Sequence, residues 1–343
     1  MEPKITYLFG AGASINALPI VKLIPDALKE FLVEIKTPDF LLPNDQFFNN
    51  MQSAGRIGML QQEFFSTIEW MLENSKNHAS IDTFAKKLYA NKSFPAFIKL
   101  KAALTSFFIY MQLKKPIDKR YDSFIAALID PLKSLYNLPS NLTILTWNYD
   151  FQFEKAYSSY CDTKNLYDLQ VRLNVYPTDV SDMTKPGEFS IFKLNGTTDI
   201  FSTQDGSIIS ISDDVQRSCN RDLMFDLVRL YTGLTKFPNQ NQSLLSFAWE
   251  NTRISKAVLD KAIDTVKETE VLITVGYSFP FFNRGIDRKL IGPMAKLKKV
   301  YFQAPEKEAN NLISRFRAIR QDLNNLDPEP IGDTDQFFLP PEL

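Results

Sequence analysis

The chain has 343 residues, enough to bury a substantial core and more than one ordinary domain needs. Its 39 Lys and Arg against 40 Asp and Glu leave a formal charge of −1, which argues against a general electrostatic grip on nucleic acid. Two cysteines, no secretory signal and no apolar run of spanning length imply a soluble, cytoplasmic protein with no membrane partner.

Residues 4–9 read as a first strand, apolar and partly β-branched, running into Gly10-Ala11-Gly12-Ala13-Ser14. Two glycines at that spacing allow a tight turn under a phosphate. The dinucleotide fingerprint would need a third glycine at position 15, where this chain has Ile15, so a dehydrogenase-type site is disfavoured. A helix follows through Ala27, Leu28, Phe31 and Leu32.

Residues 51–137 carry helical periodicity and almost no strand signal, as in the stripes Phe64, Phe65, Ile68, Met71 and Phe97, Leu100, Leu104, Phe107. Such stripes are mostly core, and the 28 Phe residues leave some for subunit interfaces. Ser80 reads as a helix cap with Asp82 in the first turn; the single histidine, His78, precedes it. Lys114, Lys115, Lys119 and Arg120 form a small basic cluster that reads as a solvated helix end.

Strands resume at 142–145, which lead into Thr146-Trp147-Asn148-Tyr149-Asp150 and a helix start. Polar residues between a strand's C-terminal end and a helix sit where open α/β sheets bind ligands. Asn148 and Asp150 could equally cap that helix. Residues 190–194 lead likewise into Asn195-Gly196-Thr197-Thr198-Asp199, 271–275 into Gly276-Tyr277-Ser278 with Asn283 beyond, and 299–302 into Gln303-Ala304-Pro305. Two further helices are expected over 215–236 and 255–268; Trp249 reads as core or as the mouth of a pocket.

The expected fold is α/β: a Rossmann-like parallel sheet flanked by helices, with an inserted α-helical subdomain. Residues 1–50 and 138–327 would form the nucleotide-binding domain, 51–137 the insertion able to cover its crevice, and 328–343 an extended tail.

In this order the segments resemble the sirtuin-like NAD-binding family. Gly10 to Ser14 with Pro19 resembles its first glycine loop, and Thr146 to Asp150 its Thr-x-Asn-x-Asp segment. Lys193-Leu-Asn-Gly196 resembles Lys-Leu-His-Gly, Gly276-Tyr-Ser278 the adenosine-ribose loop, and Gln303-Ala-Pro305 the adenine-contacting loop. Glu154 and Tyr157 point to the prokaryotic antiviral-defence branch. The resemblance implies NAD as substrate, with Gly10, Ala11, Gly12, Ser14, Thr146, Tyr149, Gly196, Gly276, Tyr277, Ser278, Asn283 and Gln303 as binding residues. It also implies activation by self-assembly into a homo-oligomer or by a partner such as a HerA-type ATPase.

Departures from the family narrow the chemistry. The deacylases' four-cysteine zinc module cannot be built from Cys161 and Cys219, so no metal is expected. The family's catalytic histidine position holds Asn195, whose carboxamide cannot take a proton. NAD hydrolysis to nicotinamide and ADP-ribose remains, served by positioning and electrostatics. In that reading Asn148 orients the ribose or the attacking water. Asp150 holds the nicotinamide carboxamide or faces the developing cation, and Asn195 hydrogen-bonds a ribose hydroxyl or a water. His78 and Asp82 are subsidiary candidates. The rival readings are a non-catalytic NAD or ADP-ribose scaffold or sensor, a deacylase, and an unrelated nucleotide-binding protein.

Overall fold

The computed structural model describes residues 2–43, 56–130, 138–177, 188–198, 214–320 and 326–343, with the backbone path alone at 200–203 and 208–210. Its strands are β1 (Ile5–Phe9), β2 (Leu142–Thr146), β3 (Val175–Tyr176), β4 (Ser190–Lys193), β5 (Ile200–Thr203), β6 (Ile208–Ser210), β7 (Asn241–Ser243), β8 (Val271–Val275), β9 (Lys299–Gln303) and β10 (Glu329–Ile331). The helices are α1 (Ile24–Ile35), α2 (Ile57–Asn77), α3 (Ile81–Ala90), α4 (Phe94–Lys114), α5 (Lys119–Leu128), α6 (Gln152–Tyr157), α7 (Leu166–Arg172), α8 (Arg221–Lys236), α9 (Arg253–Val266), α10 (Arg284–Ile291) and α11 (Glu306–Arg317).

Two compact units share the chain. The first comprises Met1–Asn16, Ile117–Thr197 and Ser246–Leu343. It is built on a seven-stranded sheet of order β10-β9-β8-β1-β2-β4-β3, in which every pairing is parallel. Parallel strands are covered on both faces, which is why β1 and β8 are mainly apolar and are buried at every position. The order reverses at β1, with β2 on one side and β8 on the other, as in a Rossmann-like α/β fold. The register aligns the strand ends: Phe9 pairs with Thr146 and Val275, Thr146 with Lys193, Val275 with Gln303, and Gln303 with Ile331. All the polar loops singled out in the sequence therefore leave the same edge.

The second unit comprises Ala17–Pro116 and Thr198–Leu245. Phe31 of α1 meets Tyr110 of α4 at 4.8 Å and Phe107 at 5.6 Å, and Tyr231 of α8 meets Phe64 of α2 at 5.3 Å. β5 pairs antiparallel with β6 and β7, a small sheet the sequence reading did not anticipate.

These units differ from the domain boundaries expected from the sequence. Residues 17–43 join the helical unit because Phe31 packs on α2 and α4, and 214–245 join it through Tyr231. Helix α5 leaves it for the sheet unit, because Phe124 packs on Tyr7 at 5.1 Å and Tyr121 on Phe153 at 4.7 Å. The C-terminal residues are not a loose extension: β10 adds a strand beside β9, and Phe337 is buried against Phe9 at 5.1 Å. The expected absence of an apolar segment of spanning length also needs correction. Helix α4 is long and apolar enough by composition to cross a membrane, and most of it is buried in the fold.

Candidate functional site

The loops after β1 and β8 are interlocked through glycine. Gly276 has φ +58°, and a Cβ there would lie 2.4 Å from the Ala13 nitrogen and 2.5 Å from the Gly12 carbon. A Cβ on Gly10 would meet the Gly276 oxygen at 2.7 Å. The Gly10 amide donates to Val275 O at 3.0 Å and the Gly12 amide to Gly276 O at 3.0 Å. The second of these departs from the phosphate-cradle expectation, since one of the glycine-loop amides is spent on the neighbouring loop.

Ser14 ends this turn, and its hydroxyl is the meeting point of the sequence candidates. Ser14 Oγ donates to Asp150 Oδ2 at 2.6 Å and accepts from Asn148 Nδ2 at 3.1 Å. Asn148 Nδ2 also donates to Gly10 O at 3.0 Å, while the Asn148 amide donates to Thr146 Oγ1 at 3.1 Å. Asp150 Oδ1 accepts the Gln152 amide at 3.2 Å at the start of α6. The N-cap of α6 is Phe151, so Asp150 does not take the capping position; it binds the first helical amide through one oxygen and leaves the other on Ser14. Burial pushes the Asp150 carboxyl above its ordinary range, against the opposing pull of the Ser14 hydrogen bond and the charge of Lys193.

Asn195 stands at the neighbouring strand end, where Gly196, φ +71°, closes the turn with its amide on Lys193 O at 2.9 Å. Asn195 Nδ2 donates to Trp147 O at 3.0 Å, and its Oδ1 is buried without a hydrogen-bond partner. A carbonyl oxygen only accepts, so the contacts to Gly10 O and Trp147 O fix the orientation of both carboxamides. Asn148 commits both of its N–H groups to the protein and Asn195 one of two, and Asn195 Oδ1 is the acceptor left over. The site therefore offers acceptors to hydroxyls, water or an amide N–H, with one carboxylate close by. A buried acceptor lacking a partner is costly unless something fills it.

Lys193 and Glu154 lie beneath these loops as a buried ion pair, Nζ to Oε1 2.5 Å, with Gln170 Nε2 donating to the same oxygen at 3.2 Å. Trp147 stacks on Tyr277 at 6.0 Å and 16°.

The remaining candidates distribute unevenly. Tyr277 and Asn283 do come together: Asn283 Nδ2 donates to Tyr277 OH at 3.1 Å, and that hydroxyl donates to Asp287 Oδ1 at 2.8 Å. Burial pushes Asp287 up to about 7. Ser278 is exposed, and its carbonyl accepts from Arg315 at 2.5 Å. Gln303 is committed elsewhere: Nε2 donates to Asp333 O at 2.7 Å and Gln336 O at 2.5 Å, and Oε1 accepts the Phe338 amide at 3.0 Å. Its side chain pins the C-terminal segment. Ala11 is exposed and Tyr149 half-buried in their loops, and Asp199 lies outside the described residues.

His78 and Asp82 belong to the second unit. His78 Nδ1 bonds Asn74 O at 2.9 Å and its ring lies 4.8 Å from Phe84, while Asp82 sits in the first turn of α3 behind the Ser80 cap. No group of three or more potential metal ligands occurs among the described residues.

Sequence reasoning missed Tyr121, Asp287 and the structural role of Arg120. Tyr121 OH lies 2.8 Å from Ser14 Oγ. Arg120, read as part of a solvated cluster, is buried: it grips Asp118 at 2.6 Å, donates to Ala13 O at 2.8 Å and stacks 5.1 Å from Phe337. The available signal for Asp287 was a carboxylate in the buried stripe shared with Leu290 and Ile291.

Compared with known proteins, the chain matches no family model and no curated protein. Solved structures similar to it include a Sir2 homolog–NAD complex, at 14% identity over 94% of this chain and 92% of that one, with a TM-score of 0.38. Two mutants of a Sir2 homologue in complex with ADP ribose are similar at 12% identity, over 94% of this chain and 95% of each, with TM-scores of 0.41 and 0.39. At those values the likeness carries no weight in assigning a function.

Proposed function

We propose that the chain is a sirtuin-like NAD glycohydrolase, cleaving NAD to nicotinamide and ADP-ribose. The observation that carries this reading is the pair of carboxamides, Asn148 and Asn195, each oriented by donation to a backbone carbonyl, Gly10 O and Trp147 O. Their oxygens, that of Asn195 without a partner in the fold, together with the buried carboxylate of Asp150 would make an electron-rich site suited to a ribosyl cation and to the hydroxyls around it. Charge develops on the ribose as the bond from C1′ to the pyridinium nitrogen breaks and its electron pair leaves with nicotinamide. Water then forms the new bond at C1′ and loses a proton.

Asn148 Oδ1 and Asn195 Oδ1 would accept from ribose hydroxyls or from that water. Asp150 would face the cation. The interlocked turns at Gly10, Gly12 and Gly276 would hold the dinucleotide close to backbone. Neither carboxamide can serve as a base, which costs a general-base mechanism about two to four orders of magnitude. A good leaving group and a cationic transition state make that loss tolerable for a slow or partner-activated enzyme.

By the sequence resemblance, the biological setting we propose is prokaryotic antiphage defence in the cytoplasm, where NAD depletion halts the infected cell. Self-assembly or a HerA-type ATPase would be the trigger. Nicotinamide release from NAD by the full chain, alone and with co-purifying protein, tests the activity beside Asn148→Ala. Release that vanishes in the variant is the expected result. NAD bound but never cleaved would overturn the hydrolase reading in favour of a scaffold or sensor, and no NAD binding would overturn both. A fall in cellular NAD on phage challenge, abolished by Asn148→Ala, is the expected result for the defence role.

A further inference from the structure

Ser14 Oγ makes three hydrogen bonds: to Asp150 Oδ2 at 2.6 Å, to Tyr121 OH at 2.8 Å and to Asn148 Nδ2 at 3.1 Å. A hydroxyl has one proton and two lone pairs, so all its capacity is used. Asn148 Nδ2 can only donate, and it fills one lone pair. An ionised Asp150 can only accept, and it takes the Ser14 proton. Tyr121 must then donate to the second lone pair. If Asp150 is protonated and donates to Ser14 instead, the Ser14 proton turns to Tyr121 and the phenol becomes the acceptor. Tyr121 is thus the far end of a three-member chain whose direction depends on the charge of Asp150.

Tyr121 is well placed for this. It projects from α5, is 1% exposed, and is wedged 4.7 Å from Phe153 and 4.9 Å from Phe337. Burial, then the charge of Asp150, pushes its own ionisation far above the ordinary phenol range, so its proton is retained throughout the working pH.

We propose that Tyr121 is a positioning residue that acts through Ser14: by donating to Ser14 it commits the Ser14 proton to Asp150, and so fixes the ionised carboxylate and the Asn148 amide in their working arrangement. For its kinetic consequence alone, this rests on the NAD-cleavage reading. The other groups that act on Asp150 are the Gln152 amide, Lys193 of β4 (itself paired with Glu154), and Asp118 ahead of α5 (itself paired with Arg120). Tyr121→Phe leaves all of them in place and keeps the ring in its aromatic cage.

The test is a carboxyl carbon NMR titration of the full chain, with the Asp150 signal identified by its loss in Asp150→Asn. In Tyr121→Phe the Asp150 titration should move to higher pH, because the Ser14 hydrogen bond to the carboxylate is no longer reinforced. Ser14→Ala should move it further, and adding Tyr121→Phe to Ser14→Ala should move it no more, since the effect travels through Ser14. In wild-type background, nicotinamide release should show its acid limb displaced by the same amount and kcat lowered about tenfold, the worth of one hydrogen bond, with KM little changed.

Placing 3-fluorotyrosine at position 121 makes the phenol a stronger donor and should shift the Asp150 titration the opposite way, which keeps the proposal testable even if Tyr121→Phe folds poorly. An Asp150 titration indifferent to both replacements, or shifts that add in the double variant, would overturn it. If wild type releases no nicotinamide, the cleavage reading fails while the titration still decides the role of Tyr121.

Discussion

Lys193 Nζ lies 2.5 Å from Glu154 Oε1, with the two side chains 1% and 0% exposed. The pair ties the end of β4 to the first turn of α6, so it sets Asn195 on one loop against Asn148 and Asp150 on the other. Removing one partner strands the other's charge in the interior, which costs about 3–5 kcal/mol, whereas replacing both is far milder. Glu154→Gln should therefore lose most of that amount in urea unfolding, and Glu154→Gln with Lys193→Met should recover much of it. Equal losses in the single and double variants would show that the pair is not what holds the two loops.

The glycine contacts make a sharper prediction. At Gly276 a methyl group would be strained by φ +58° and would overlap the backbone of Gly12 and Ala13. Backbone strain of that kind alone costs about 1–3 kcal/mol, and the overlap must also push the two loops apart. Gly276→Ala should lower the Tm by several degrees and abolish NAD binding by calorimetry. Gly285→Ala, where a Cβ meets nothing within 4 Å, is the matched control and should stabilise α10 by about 0.5–1 kcal/mol. Similar melting curves for the two variants would contradict the interlocking of the loops after β1 and β8.

Much of this site was legible because its parts are local. An apolar run ending in Gly10-Ala-Gly12, or in Trp147-Asn148-Tyr149-Asp150, states its own strand, loop and edge, and parallel register brings those edges together. What stayed hidden depends on partners distant in sequence. The stripe Tyr121, Phe124, Ile125, Leu128 predicts a buried helix face but not which unit buries it, nor that one hydroxyl on it reaches Ser14. Glu329-Pro330-Ile331 reads as part of an extended tail because proline is rare in sheets, and it is tolerated here because β10 is an edge strand. Gln303 stands in a loop that resembles a ligand-contacting one, while its side-chain amide is taken by residues thirty and more positions later.

Asn195 provides a test of the missing base. Its nitrogen donates to Trp147 O, a contact that a histidine Nδ1–H can reproduce while turning Nε2 toward the place of Asn195 Oδ1. Asn195→His should therefore raise nicotinamide release about tenfold or more, with the gain growing as pH rises through about 6–7 where an imidazole loses its proton. A variant that binds NAD as wild type does but gains no rate at pH 8 would show that proton removal does not limit the reaction.

Asp287 predicts how stability depends on pH. Burial raises its carboxyl from 3.8 to about 7, with the Tyr277 hydrogen bond opposing. Between those values the folded chain holds a proton that the unfolded chain has released, so stability falls as pH rises through that window. The penalty is complete above about 7 and absent below about 4, and the width of that window bounds it at about 4 kcal/mol. Asp287→Asn keeps an acceptor for Tyr277 OH but cannot ionise. Denaturant unfolding from pH 4 to pH 8 should accordingly show a shallower decline in the variant, which becomes the more stable protein at pH 8. Parallel pH profiles for the two proteins would mean that Asp287 ionises freely in the folded state, and that the Tyr277–Asn283–Asp287 cluster is open to water.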